Sequence, residues 1–150
     1  MRRFGILLIA IAFIILLSAG CSAKTSVDAA IDSDEARQFA DPAVERILRA
    51  INTKKYDEFS QDFSVKMSSS LTKAAFDSIC TQFEEKIGTY VHDSKVYSKV
   101  VGKDGLITVI YTAEYTKEPA KVEVRIVYEE KDGKKLISGL WFDSVNLRKK

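Results

Sequence analysis

The sequence predicts an α+β domain in which three N-terminal helices pack on one face of a curved four-stranded antiparallel meander sheet. Three observations carry this. Apolar residues recur at helical spacing up to Gly88 and alternate with polar ones after it. Short turn signals, Lys103-Asp104-Gly105, Lys117-Glu118-Pro119 and Lys131-Asp132-Gly133-Lys134, divide the second half into strands. Alternation along those strands leaves one face wet, as in an antiparallel sheet covered on a single side.

The first firm helix signal is Asp41-Pro42, an acid to cap and a proline at the first position. Val44, Ile47, Leu48 and Ile51 follow at helical spacing, so this helix runs to about Asn52. Thr53 caps a shorter second helix with Tyr56, Phe59 and, at its margin, Phe63. Ser68-Ser69-Ser70 breaks the pattern. Thr72 then caps a third helix, with Leu71 placed to staple onto Phe76. Ala75, Phe76, Ile79, Phe83 and Ile87 form its apolar stripe, and Gly88 supplies the stop.

Four strands follow. Tyr90 to Val101 is the first and the least regular. In the second, Ile107, Val109, Tyr111, Ala113 and Tyr115 share the inward face; in the third, Val122, Val124, Ile126 and Tyr128 do. Leu136 to Val145 is the last.

The N-terminus has a different composition. Met1-Arg2-Arg3 precedes an apolar run from Phe4 through Leu17, and then comes Ser18-Ala19-Gly20-Cys21. A basic start, a short apolar stretch and small residues form an export signal. The arginines stay inside, so the rest is delivered outside. Leu17-Ser18-Ala19-Gly20-Cys21 resembles the lipobox of prokaryotic lipoproteins, with Ser18 where leucine is usual. The resemblance implies cleavage before Cys21, a diacyl group on its sulfur and a place on the extracytoplasmic face of the cell membrane. The rival reading, a retained spanning helix, needs about 20 apolar residues; this run reaches that only by counting Ser18, Gly20 and Cys21. The predicted organisation is a signal over 1–20, a lipidated cysteine and polar tether over 21–40, and a domain over 41–150. Ser33 to Phe39 could form a short helix within the tether.

Composition excludes several function classes. The chain has 23 Lys+Arg and 21 Asp+Glu, and the signal takes two arginines and no acid, so the mature chain is neutral. Acids and bases are interleaved, as in Glu84-Glu85-Lys86, which argues against a nucleic-acid partner. Cys80 has no internal partner once Cys21 is lipidated, and its setting beside Ile79 and Phe83 reads as a buried structural thiol. One histidine and one free cysteine make a zinc site improbable, and no cofactor motif is present.

Residues Ala50-Ile51-Asn52-Thr53-Lys54-Lys55-Tyr56-Asp57-Glu58-Phe59, Phe63-Ser64, Leu71-Thr72 with Phe76, Gly88 and Ser138-Gly139-Leu140-Trp141-Phe142 resemble the family called domain of unknown function 3887. The likeness covers about residues 42 to 147 and implies the cone-shaped nuclear transport factor 2-like fold. The family more often has Gly-Asp where this chain has Lys54-Lys55, so the connection between helices is open to differ. No activity follows from the resemblance.

In the cone fold a pocket can open between sheet and helices. Tyr111, Tyr115, Tyr128 and Trp141 are the candidate ligand-binding residues, read against the plainer possibility that they are core aromatics. His92 and Asp93, as strand neighbours, should point to opposite faces and so form no dyad. Asp143 faces inward unless Gly139 creates a bulge. No catalytic set emerges. The leading expectation is a membrane-anchored, non-catalytic module that binds a small apolar ligand, another envelope protein or a second copy of itself. The alternative is a cone-fold lyase or isomerase using Asp143 or His92 with the tyrosines.

Overall fold

The structure, a computed structural model, describes residues 31–149. The predicted signal, Cys21 and most of the tether lie outside the described residues. The architecture is α+β. Four helices, α1 (Ser33–Thr53), α2 (Tyr56–Ser60), α3 (Val65–Ser70) and α4 (Lys73–Lys86), precede the strands β1 (Val96–Lys103), β2 (Leu106–Tyr115), β3 (Glu118–Lys131) and β4 (Lys134–Asp143). A last turn of helix, α5 (Val145–Arg148), follows them. The strands form one open antiparallel sheet in the order β1-β2-β3-β4.

Helix α1 starts nine residues before the position that Asp41-Pro42 predicts. Asp32 is its cap, accepting from the Asp34 N–H at 2.7 Å, and Pro42 lies inside the helix. Proline there removes the bond to the Gln38 carbonyl, a loss that usually breaks a helix. Here both Pro42 and Gln38 are exposed, so the freed carbonyl lies toward solvent. Ala36 and Ala40 are fully buried, so the stretch assigned to the tether contributes to the core. The apolar stripe continues through Val44, Ile47, Leu48 and Ile51 as predicted.

The helix ends at Lys54, whose φ of 56° is left-handed. That is the conformation glycine favours, so the turn persists with lysine in it. Thr53 does not cap α2; its hydroxyl donates to the Arg49 carbonyl in the last turn of α1.

Helix α3 falls where Ser68-Ser69-Ser70 predicts a break. Ser64 caps it, accepting from the Met67 N–H, and Ser69 and Ser70 donate back to the carbonyls of Val65 and Lys66. Thr72 caps α4 by accepting from Ala75 N–H, as predicted. Gly88, with φ of 78°, closes α4 by donating to the Phe83 carbonyl at 2.8 Å.

In the sheet, Asp104-Gly105 and Asp132-Gly133 each connect two strands with positive φ at both residues. That is the two-residue hairpin whose twist matches its strands. The middle turn is Thr116-Lys117 rather than Lys117-Glu118-Pro119, because Glu118 pairs with Tyr115 and already belongs to β3. Pro119 is tolerated because β4 reaches only to the level of Glu123, leaving β3 unpaired on one side there. Strand β1 begins at Val96, six residues later than Tyr90, which makes only an isolated bridge to Tyr115.

The core lies between the sheet's inner face and the helices. Phe59, Phe76, Ile47, Leu48, Ile87, Val109, Val122, Ile126 and Ile137 are essentially inaccessible. Burying each such side chain contributes about 1.5–3 kcal/mol relative to exposure. Helix α1 crosses this face: Phe39 packs edge-on to Tyr128 of β3, Asp41 meets Tyr111 of β2, and Asn52 meets Tyr90 ahead of β1.

Candidate functional site

Three of the four candidate aromatics are core residues. Tyr111, Tyr115 and Tyr128 are 1%, 4% and 2% exposed. Tyr115 packs against Phe83 and Tyr90, and Tyr111 against Tyr97. Only one of the three hydroxyls has a partner: Tyr111 donates to Asp41 Oδ1 at 2.7 Å, while those of Tyr115 and Tyr128 have none. Burial, and then the Asp41 carboxylate, hold the Tyr111 hydroxyl protonated well above its ordinary range. Burial does the same to Tyr115 and Tyr128. These rings fill the space between sheet and helices and line no open cleft.

Trp141 is not among them, which corrects its grouping with the tyrosines. The register of β3 and β4 shifts between Val127, opposite Gly139, and Tyr128, opposite Ile137. Ser138 is therefore an extra residue, a bulge beside the glycine. Beyond it Leu140 and Phe142 turn inward, while Trp141 and Asp143 turn out, opposite Arg125 and Glu123. Trp141 is 57% exposed. Its ring lies back over Gly139, where a Cβ would come within 2.4 Å of it. A groove of about 460 Å³ opens beside it, between Thr108, Arg125, Val127 and Asp143. Arg125 pairs with Glu123, and Asp143 with Arg148 at 3.4 Å, so the groove's rim is charged and internally neutralised.

A second polar site, along the edge of α1, has no counterpart in the candidate residues. Arg37, Asp41 and Glu45 succeed one another at four-residue spacing. Arg37 pairs with Asp41 at 3.3 Å and stacks over Tyr97. Glu45 Oε2 accepts from the Tyr90 hydroxyl at 2.9 Å and lies 3.5 Å from Lys95 Nζ. Its other oxygen, Oε1, is buried without a hydrogen-bond donor and faces His92 Nε2 at 3.8 Å. Asp93 Oδ2 lies 2.7 Å from His92 Nδ1. The strand argument that separates His92 from Asp93 does not apply, because residues 91–95 form a turn with Asp93 at φ 58°. Turn geometry brings both side chains to one side. Glu45, His92 and Asp93 are the group able to hold a metal ion among the described residues. The signal in the sequence is the i, i+4, i+8 row of charges beside α1's apolar stripe.

Asp143 and His92 are about half exposed and hydrogen-bond none of the three buried tyrosines. Cys80 is a free, buried thiol, and burial pushes its pKa up, away from nucleophilic reactivity.

The family model described as Protein of unknown function (DUF3887) matches residues 44–140. The chain belongs to the DUF3887 family. No curated protein and no solved structure matches it. The segment that DUF3887 spans begins within α1 at Val44 and ends in β4 at Leu140. It thus contains Glu45, His92 and Asp93 and stops one residue before Trp141. Among the described residues no helix is long and apolar enough to cross a membrane.

Proposed function

We propose that this DUF3887 protein is a lipoprotein, held by lipid on Cys21 at the extracytoplasmic face of the membrane, whose domain is a non-catalytic binding module. The fold is read as a nuclear transport factor 2-like cone with its interior filled. The carrying observation is the inversion of the aromatic residues: the inner tyrosines are sealed in the core, whereas Trp141 stands exposed beside the groove on the outer sheet face. Trp141 is more than half exposed beside that groove, and tryptophan is a residue type enriched at protein interfaces. Tryptophan flanked by Arg125 fits the composition of protein-binding hot spots, so the partner in this reading is another envelope protein. Asp143 and His92, the acid and base that the lyase or isomerase alternative names, hydrogen-bond none of Tyr111, Tyr115 and Tyr128, which disfavours that alternative.

Three experiments test it. Cys21→Ser in the full chain should leave the precursor at its unprocessed mass and without lipid; normal processing would remove the anchor from the proposal. A photo-crosslinking residue at Thr108, on the outer face, should capture a membrane-associated protein, while one at Glu58, on the helical side, should not. Crosslinks from Glu58 alone would place the surface elsewhere. A small molecule retained in native mass spectrometry would replace the protein partner with a pocket ligand.

A further inference from the structure

We infer that Glu45 and His92 bind a divalent transition-metal cation, with Asp93 as the positioning residue that orients the imidazole. The loop carrying the histidine is fixed against α1. Asn52 accepts from the Tyr90 N–H and donates to the Tyr90 carbonyl, both at 2.9 Å, and Val91 N–H donates to the Glu114 carbonyl. Tyr90 hydroxyl holds one oxygen of Glu45 in place. Both sides of the site are thereby set before any ion arrives.

The decisive feature is a meeting of two acceptors. A carboxylate accepts only, so Asp93 at 2.7 Å from Nδ1 takes its hydrogen bond from Nδ1–H, which in the neutral imidazole that ligates metals is the tautomer with Nε2 unprotonated. Nε2 then presents a lone pair, and what it faces is Glu45 Oε1, buried and without a donor. At 3.8 Å the two are too far apart for a direct hydrogen bond. Their separation is slightly less than the sum of a zinc–nitrogen bond of about 2.0–2.1 Å and a zinc–oxygen bond of about 2.0–2.2 Å. A cation between them reaches both ligands in an open angle. Asp93, His92 and the ion then form the carboxylate–histidine–metal series found where an outer carboxylate sets the ligating tautomer.

Imidazole with carboxylate selects Zn²⁺ and its neighbours over Mg²⁺ or Ca²⁺, which prefer oxygen alone. With His92 about half exposed, solvent completes the coordination. The charged groups facing the site are Asp93 and Lys95, with Tyr90 at its floor. Lys95 competes for Glu45 through Oε2, so the lysine opposes the ion. A single histidine argues against zinc at the level of sequence; the fold supplies the missing ligand from a different element.

The test uses the full chain in detergent without an affinity tag, with ZnCl₂ alone as the probe. Because the sequence has one histidine, its imidazole resonances are a unique reporter. One equivalent of Zn²⁺ should shift them, and Mg²⁺ should not. His92→Gln and Glu45→Gln should each abolish zinc binding by calorimetry. Asp93→Asn should weaken it about 10–100-fold, and Lys95→Met should tighten it. Resonances unmoved by zinc would overturn the inference. So would unchanged affinity in Glu45→Gln, since that marks an ordinary surface histidine. His92→Gln, an exposed change, guards against misfolding as the reason for lost binding.

Discussion

The indole of Trp141 rests on Gly139, occupying the space that a side chain at position 139 would fill. Glycine weakens a strand by leaving it nothing to pack, and a neighbouring aromatic laid over it restores part of that contact. The glycine also follows the bulge residue Ser138, so one local arrangement sets the twist, the facing of β4 and the pose of the ring. Gly139→Ala should push the indole into solvent. The checks are a red shift in the emission of the single tryptophan and an unfolding free energy, from urea titration, lowered by no more than about 1 kcal/mol, because the ring can swing away. An unshifted emission would mean the ring lies elsewhere.

Gly88 is a different case from the hairpin glycines. All three have φ above 70°, but a Cβ at Gly88 would also lie 2.2 Å from Thr116 Oγ1 and 3.0 Å from the backbone nitrogen of Lys117. That nitrogen donates to the Ile87 carbonyl, and Thr116 Oγ1 accepts from Thr89 N–H, so neither can move freely. Gly105→Ala and Gly133→Ala, with open space around them, should each cost about 1–2 kcal/mol from the left-handed backbone alone. Gly88→Ala should cost clearly more in the same urea titrations. Equal losses at all three would contradict the close approach.

The buried tyrosines should separate by partner. Tyr111→Phe removes a hydrogen bond to a carboxylate and should destabilise by about 1.5–3 kcal/mol. Tyr128→Phe removes a hydroxyl that has no partner and should be neutral or stabilising. Thermal unfolding of the two variants side by side decides this, and a reversed order would refute it.

Alkaline pH should unfold the domain. In the unfolded chain a tyrosine ionises near 10, whereas burial and then Glu45 push Tyr90 up to about 12. Tyr111, Tyr115 and Tyr128 are raised further in the same direction. A folded-state value above the unfolded one gives stability that is complete below pH 10 and is lost as pH rises through the folded value. Urea midpoints should therefore hold steady to about pH 10 and fall beyond it. Phenolate absorbance should show these four rings ionising only with unfolding; ionisation of all tyrosines in the intact fold would contradict their burial.

Much of the fold was legible because its signals are local. Asp-Gly at both hairpins, Thr72 before α4 and Gly88 after it each act within a few residues, and the structure has all of them. The errors arise where a distant contact outweighs a local signal. Pro42 looks like a helix start, but packing of Ala36 and Ala40 carries the helix through it. The serines of α3 look like a break, yet a cap from Ser64 and their own back-bonds accommodate them. Facing in β4 depends on a bulge whose place only pairing with β3 reveals, so Trp141 is grouped with tyrosines whose face of the sheet it does not share. The acidic residue of the metal-binding group was missed for a related reason: Glu45 and His92 are brought together by α1 crossing the sheet, which no short spacing encodes.

That crossing also imposes an order on assembly. Helix α1 is made first, yet Glu45 must wait for Tyr90, 45 residues later, and Asp41 for Tyr111, 70 residues later. A chain emerging from its N-terminus therefore carries an uncovered apolar helix until β2 and β3 have followed it. The hairpins can close on their own from neighbouring residues, whereas docking α1 closes the longest loops in the domain and is the step that topology makes slow. For a growing polypeptide, the interval between α1 and β3 is the period in which a chaperone would have something to hold.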